Sequence, residues 1–184
     1  MDARLTELEN CTLSAIRHQQ PCSTYAVRQM FAQSPTPDWR GGAGSIYPVV
    51  ERLMRLGLVE AEADDEDRRH RKSLRVTPAG DHAIAAWISN LEPWHAKPTP
   101  DPLRTRIGFL GQLASDAERT AFFDTAETLT RQTMLELSAL AETERAAGEI
   151  EHVSTLGAVY QLEARLKWLG EARAVWVELA APPA

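Results

Sequence analysis

Residues 68–72 read Arg-Arg-His-Arg-Lys, and Arg75 follows three positions on. Guanidinium and ammonium groups at this density do one kind of chemistry well, which is to grip the phosphates of a polyanion. His70 adds charge at lower pH. A second set of candidates lies upstream. Ser45 and Tyr47 open a helix pattern, where backbone N–H groups and the helix dipole favour a phosphate. Arg52 and Arg55 lie off the apolar stripe of that pattern and can reach the same ligand. Tyr25 and Arg28, on a preceding helix pattern, suit contacts to a nucleic-acid backbone. Charge alone also fits a solvated hairpin tip, because the run from Asp64 to Asp67 can neutralise the neighbouring arginines.

Other chemistries find little footing. Gly41, Gly42 and Gly44 lack the following lysine of a phosphate-binding loop and do not follow a strand. His18, His70, His82, His95 and His152 have no metal-ligand spacing, and there are no paired catalytic carboxylates or nucleophile elbows. No enzyme, metal or cofactor is expected. Cys11 and Cys22 make neither a disulfide framework nor a zinc site. No apolar run reaches the roughly 18 residues of a membrane span, and the first residues do not resemble a signal peptide, so the expected compartment is the cytoplasm. The net charge of −6 argues against nucleic-acid binding by the surface as a whole. Up to Leu91 there are 11 basic and 12 acidic residues; beyond it there are 9 and 14. The positive charge is therefore concentrated in the first half.

The elements that must position these residues follow from periodicity. A helix over about 2–18 carries Leu5, Leu8, Leu13 and Ile16. A second runs through Ala26, Val27, Met30 and Phe31. Residues 34–44, with two prolines and three glycines, read as a loop. The third helix opens at Ser45 as N-cap, with Pro48 in its first turn and Gly57 at its C-terminal end. Leu58 to Ala63 and Ser73 to Thr77 alternate as strands around a polar tip. Thr77 and Pro78 open a further helix to about Leu91. Three helices, a two-stranded hairpin and a helix make the order of a winged helix, whose third helix fits a major groove about 12 Å wide. The expected fold is mainly α: an N-terminal winged helix-turn-helix with a two-stranded β-wing at 1–91, a Pro-rich linker at 92–102, and an α-helical dimerisation domain at 103–184.

The residues Tyr25, Ser45, Ile46, Tyr47, Pro48, Leu53, Gly57, Leu58, Val59, Thr77 and Gly80, in this order and spacing, resemble the PadR family of winged-helix transcriptional regulators. The resemblance spans about residues 5–90. Beyond residue 103 it is a similarity of plan, helices with a late Trp168-Leu169. Thr24 stands where that family commonly has glycine, and Ser73 and Leu74 stand where it often has aromatics. The resemblance implies a winged-helix regulator that binds double-stranded DNA, pairs through its C-terminal helices and, in some members, responds to phenolic acids or other small aromatics.

Val159, Leu162, Leu166, Leu169 and Trp176 alternate at steps of three and four, interrupted by Arg173, as in a helix-pairing seam. The spacing fits an intramolecular core helix as well; the resemblance favours a homodimer interface, and a dimer would read both halves of a palindromic operator. Trp87, Trp94 and Trp168 suggest a pocket for a small aromatic effector, although tryptophans at helical spacing also serve as core. The expectation is a dimeric, sequence-specific transcriptional regulator, a repressor released by a small molecule. The alternative is a winged-helix module that binds protein and not DNA, which the acidic balance and the Asp64–Asp67 run would suit.

Overall fold

The computed structural model describes residues 4–34, 37–63 and 72–180 and divides the chain into two compact units, Met1–Lys97 and Pro98–Ala184. Among the described residues no helix is long and apolar enough to cross a membrane.

The first unit contains α1 (Glu7–Gln19), α2 (Thr24–Gln33), α3 (Pro37–Gly42), α4 (Ile46–Arg55), β1 (Val59–Ala63), β2 (Lys72–Val76) and α5 (Pro78–Ser89). Thr6 and Glu9 close a capping box on α1, Ser23 caps α2 and Thr77 caps α5. The segment expected to be a loop departs from expectation. Residues 37–42 wind into α3, and Ala43–Ser45 form a 3-10 turn that runs into α4. Pro37 is tolerated because a first-turn residue needs no N–H partner. Trp39 anchors the short helix by standing edge-on to Phe31, with ring centroids 6.0 Å apart. The helix expected to be third is thus the fourth.

Leu13, Ile16, Val27, Ile46 and Leu53 are fully buried at the centre of this unit, joined by Val50, Val59 and Leu74. Each loses its apolar surface to the interior, worth about 1.5–3 kcal/mol per side chain. The hairpin is antiparallel, pairing Val59 with Val76 and Ala61 with Leu74. Its outer edge is also held: Leu74 exchanges backbone bonds with Cys22, and Val76 N donates to Gln20 Oε1 at 2.7 Å. At its base the Thr77 hydroxyl donates to the Gly57 carbonyl at 2.7 Å and accepts from Gly80 N. Gly57 sits at φ +70, which favours glycine, and a Cβ on Gly80 would stand 2.3 Å from the Leu58 carbonyl oxygen. The glycine after α4 and the glycine after the hairpin are therefore two sides of one joint.

The second unit contains α6 (Pro102–Ile107), a 3-10 turn at Leu110–Gln112, and two long helices, α7 (Asp116–Ala147) and α8 (Glu151–Ala180), which pack on each other as a hairpin. Ser115 and Glu118 form a capping box, and Gly148 ends α7 at φ +74. Phe123, Ala126, Leu110 and Leu169 are buried together, flanked by Trp168 and Trp176. The seam expected to pair with a second chain is covered by α7 in this one. Val159, Leu162 and Leu169 are buried, and Leu166 and Trp176 half-buried, within this one chain. The reason is its neighbour: α7 is 32 residues long and presents Phe123, Ala126, Thr130 and Ala141 at matching steps, so α8 finds its groove partner next to it in sequence. Arg173, which interrupts the seam, pairs across the hairpin with Asp124 at 2.6 Å and Glu127 at 3.5 Å.

Candidate nucleic-acid interface

Helix α4 buries Ile46, Val50 and Leu53 and turns Tyr47, Pro48, Glu51 and Arg55 outward. Tyr47, Glu51 and Arg55 are four residues apart and so form one outward stripe. Tyr47 is 48% exposed, a large ring left in solvent at the start of the helix. Ser45 occupies the N-cap position, but in helical backbone conformation and without a capping bond. The preceding 3-10 turn flows directly into the helix, so the serine hydroxyl, expected first as a cap, is not consumed by that role. Tyr25, 57% exposed, and the half-buried Arg28 come from α2, which packs against α4 and its preceding turn. Tyr25, Tyr47 and Arg55 are exposed on these two packed helices.

Arg52 is placed differently. Its Nε stands 2.6 Å from Oε1 of Glu9 on α1, a carboxylate only 8% exposed. The contact is a charge pair without hydrogen-bond alignment. Arg52 thus faces the flank of α4 that meets α1. On the hairpin, Arg75 is exposed and lies 3.4 Å from Glu62. Lys72 opens β2, paired in register with Ala63. Arg68, Arg69, His70 and Arg71 lie outside the described residues, as does the acidic run before them.

The tryptophans expected to share a pocket are each engaged locally. Trp87 Nε1 donates to Glu7 at 3.1 Å. Trp94 stacks on His95 at 3.8 Å between ring centroids and donates to Glu92. Trp168 belongs to the second unit, where with Trp176, Ile107, Glu171, Ala172 and Val175 it lines an open cleft of about 290 Å³. In that unit burial pushes the Asp101 carboxyl up, but the backbone N–H groups of Leu103 and Arg104 and the Arg165 guanidinium outweigh it, holding it below the usual range. Among the described residues no group of three or more His, Cys, Asp or Glu side chains is placed to hold a metal.

Two residues of the interface were missed in the sequence. Glu51 is one turn from Tyr47 on the outward stripe, a position legible from spacing alone. Glu9 announces itself in Thr-Glu-Leu-Glu as a capping box, but its pairing with Arg52 has no local signal.

Residues 12–86 match the model of the transcriptional regulator PadR-like family. No curated protein matches the chain. Among solved structures, Bacillus subtilis PadR in complex with operator DNA superposes at a TM-score of 0.78 with 16% identity, covering 94% of this chain and 99% of that one. The same regulator in complex with p-coumaric acid gives 0.72, with 15% identity over 94% and 98%. The Vibrio cholerae virulence activator AphA gives 0.68, with 15% identity over 95% and 100%. At such identities the likeness is one of fold, a winged helix followed by helices. The matched family is one of transcription regulators and not of enzymes. Over residues 12–86, where α4, the hairpin and the Gly57–Thr77–Gly80 joint all fall, the chain matches the PadR-like family of transcriptional regulators.

Proposed function

We propose that this chain is a DNA-binding transcriptional regulator that docks α4 in a major groove, with Ser45, Tyr47 and Arg55 toward the duplex and Tyr25 and Arg28 on its backbone. The observation that carries this reading is the exposed Tyr47 beside an uncommitted Ser45 at the N-terminus of α4. The hairpin residues Arg68, Arg69, Arg71, Lys72 and Arg75 grip adjacent phosphates. That Bacillus subtilis PadR has been solved with operator DNA supports it. The test is a mobility shift on the chain's own promoter region. Tyr47→Ala weakens operator binding about tenfold, roughly 1.4 kcal/mol. A wild-type chain that binds no such fragment more tightly than random DNA overturns the reading.

The regulator acts as a homodimer on a palindromic site, because one winged helix makes few base contacts and two related by symmetry read both half-sites. With the inner seam of α8 used by α7, the pairing surface is its opposite face, where Val153, Leu156 and Tyr160 are exposed. The regulation is repression by occupancy of a promoter, relieved by a small aromatic molecule in the Trp168–Trp176 cleft. The p-coumaric acid complex of Bacillus subtilis PadR supports an aromatic effector.

A further inference from the structure

We propose that Glu9 is a specificity-determining positioning residue, which sets the aim of the groove helix by holding Arg52 and withdraws that arginine from phosphate binding. The inference rests on the DNA-binding reading above. Glu9 is 6% exposed, and burying a carboxylate is costly unless both its charge and its oxygens are satisfied. Both oxygens are used. Oε2 accepts from the Thr6 backbone N–H at 2.8 Å, and Oε1 stands 2.6 Å from Arg52 Nε. One side chain therefore ties the start of α1 to the flank of α4. Apolar contacts at Ile46, Val50 and Leu53 hold α4 down and set its rotation to within a small latitude, because each contact is itself non-directional. A charge pair on the flank removes that latitude. It fixes which way the stripe of Tyr47, Glu51 and Arg55 points.

The second consequence is electrostatic. An arginine on the flank of a groove helix, off the stripe that faces the bases, is placed to meet a phosphate, an interaction indifferent to sequence. With a carboxylate at 2.6 Å, Arg52 presents little net charge to the duplex. Glu9 thereby suppresses binding to random DNA while leaving the outward stripe to discriminate bases. An ion pair that merely stabilises the fold would have no such signature.

The experiment measures binding of the full chain to its own promoter fragment and to a random duplex across a salt series, with thermal midpoints alongside. Glutamine is the substitution of choice at position 9 because its amide oxygen still accepts from Thr6 N. In Glu9→Gln the freed Arg52 finds a phosphate. The salt slope steepens by about 0.9, random DNA binds more tightly, and the operator-to-random ratio falls about tenfold. Arg52→Gln leaves the slope at the wild-type value, because the arginine was already neutralised, whereas Arg55→Gln flattens it by about 0.9. The double variant Glu9→Gln, Arg52→Gln returns to the wild-type slope but keeps the lowered ratio. Flattening by Arg52→Gln, or a Glu9→Gln chain with unchanged slope and ratio, overturns the inference while leaving the DNA-binding reading intact. So does loss of affinity for both duplexes in step with the thermal midpoint. A wild type without preference for its own fragment sinks both.

Discussion

The two units reach stability by opposite routes. The first unit folds seven short elements around twelve buried apolar residues and locks them with bonds between turns: Thr77 to Gly57, Gln20 to Val76, Cys22 to Leu74. The second relies on two long helices, a buried seam that runs from the cluster around Phe123 and Leu169 to Val159 and Leu162, and ion pairs of Arg173 across the hairpin. It also leaves Leu129, Leu135, Val153, Tyr160, Val175 and Val177 largely in solvent. The first unit also leaves apolar side chains in solvent, Ile88 and Leu91 among them, whereas the second has spent its inner seam and carries its exposed apolar residues along both long helices. That difference is why the proposed dimer is assigned to the outer face of α8.

The largest expected effect breaks the comparison at that face. Val153→Glu with Tyr160→Glu places carboxylates on the exposed stripe and, by symmetry, alters four side chains of a dimer. The cost to association is on the order of 4 kcal/mol, about a thousandfold in the dissociation constant. Sedimentation shows monomers at micromolar concentration, and operator affinity falls with them. A variant that sediments as the wild type does would show that the outer face is not the pairing surface.

The next effect breaks the first unit from within. Gly80→Ala drives a methyl against the Leu58 carbonyl and Val76 Cγ1, both under 3 Å from the new carbon. Backbone cannot step aside as a flexible side chain would, so the expected loss is about 3 kcal/mol. Thermal denaturation followed by near-ultraviolet dichroism reads it. By contrast Gly57→Ala has nothing within 4 Å of its new carbon and loses only the left-handed backbone preference, about 1–2 kcal/mol. If Gly80→Ala proved no worse than Gly57→Ala, the joint would not be the tight contact described.

These particulars show what sequence could and could not disclose. The joint was legible, because Gly57, Thr77, Pro78 and Gly80 each carry a local backbone requirement that fixes their residue type. The hairpin and its base were legible from alternation and turn residues. The seam of α8 was legible only as a seam: steps of three and four say that a helix packs on a helix, not whose helix it is. The length of α7 decided that, and it depends on Gly148 ending one helix and Glu151 starting another antiparallel to it. α3 was hidden because prolines and glycines mark a helix end and a helix start alike. Glu9 and Arg52 lie on different helices far apart in sequence, and no spacing rule joins them.

The smallest effect sharpens the comparison by acid. Asp101 accepts from Leu103 N at 2.8 Å and Arg104 N at 3.3 Å and meets Arg165 at 2.8 Å. Its folded pKa is depressed, so it contributes stability in full above the unfolded carboxyl value near ~3.9 and loses it as pH falls through the folded value. Asp101→Asn keeps a good helix cap but loses the charge pair, costing about 1 kcal/mol or less at neutral pH because the pair is partly solvated. The variant's thermal midpoint then varies less with pH below about 4 than the wild type's does. The effect is confined to the second unit, whose hairpin Arg165 ties to the start of α6. Near-ultraviolet signals from Trp168 and Trp176 report on that unit and carry the difference, while those from Trp39 and Trp87 in the first unit stay unchanged. An equal acid response in both sets of signals would mean that the units do not unfold as separate bodies.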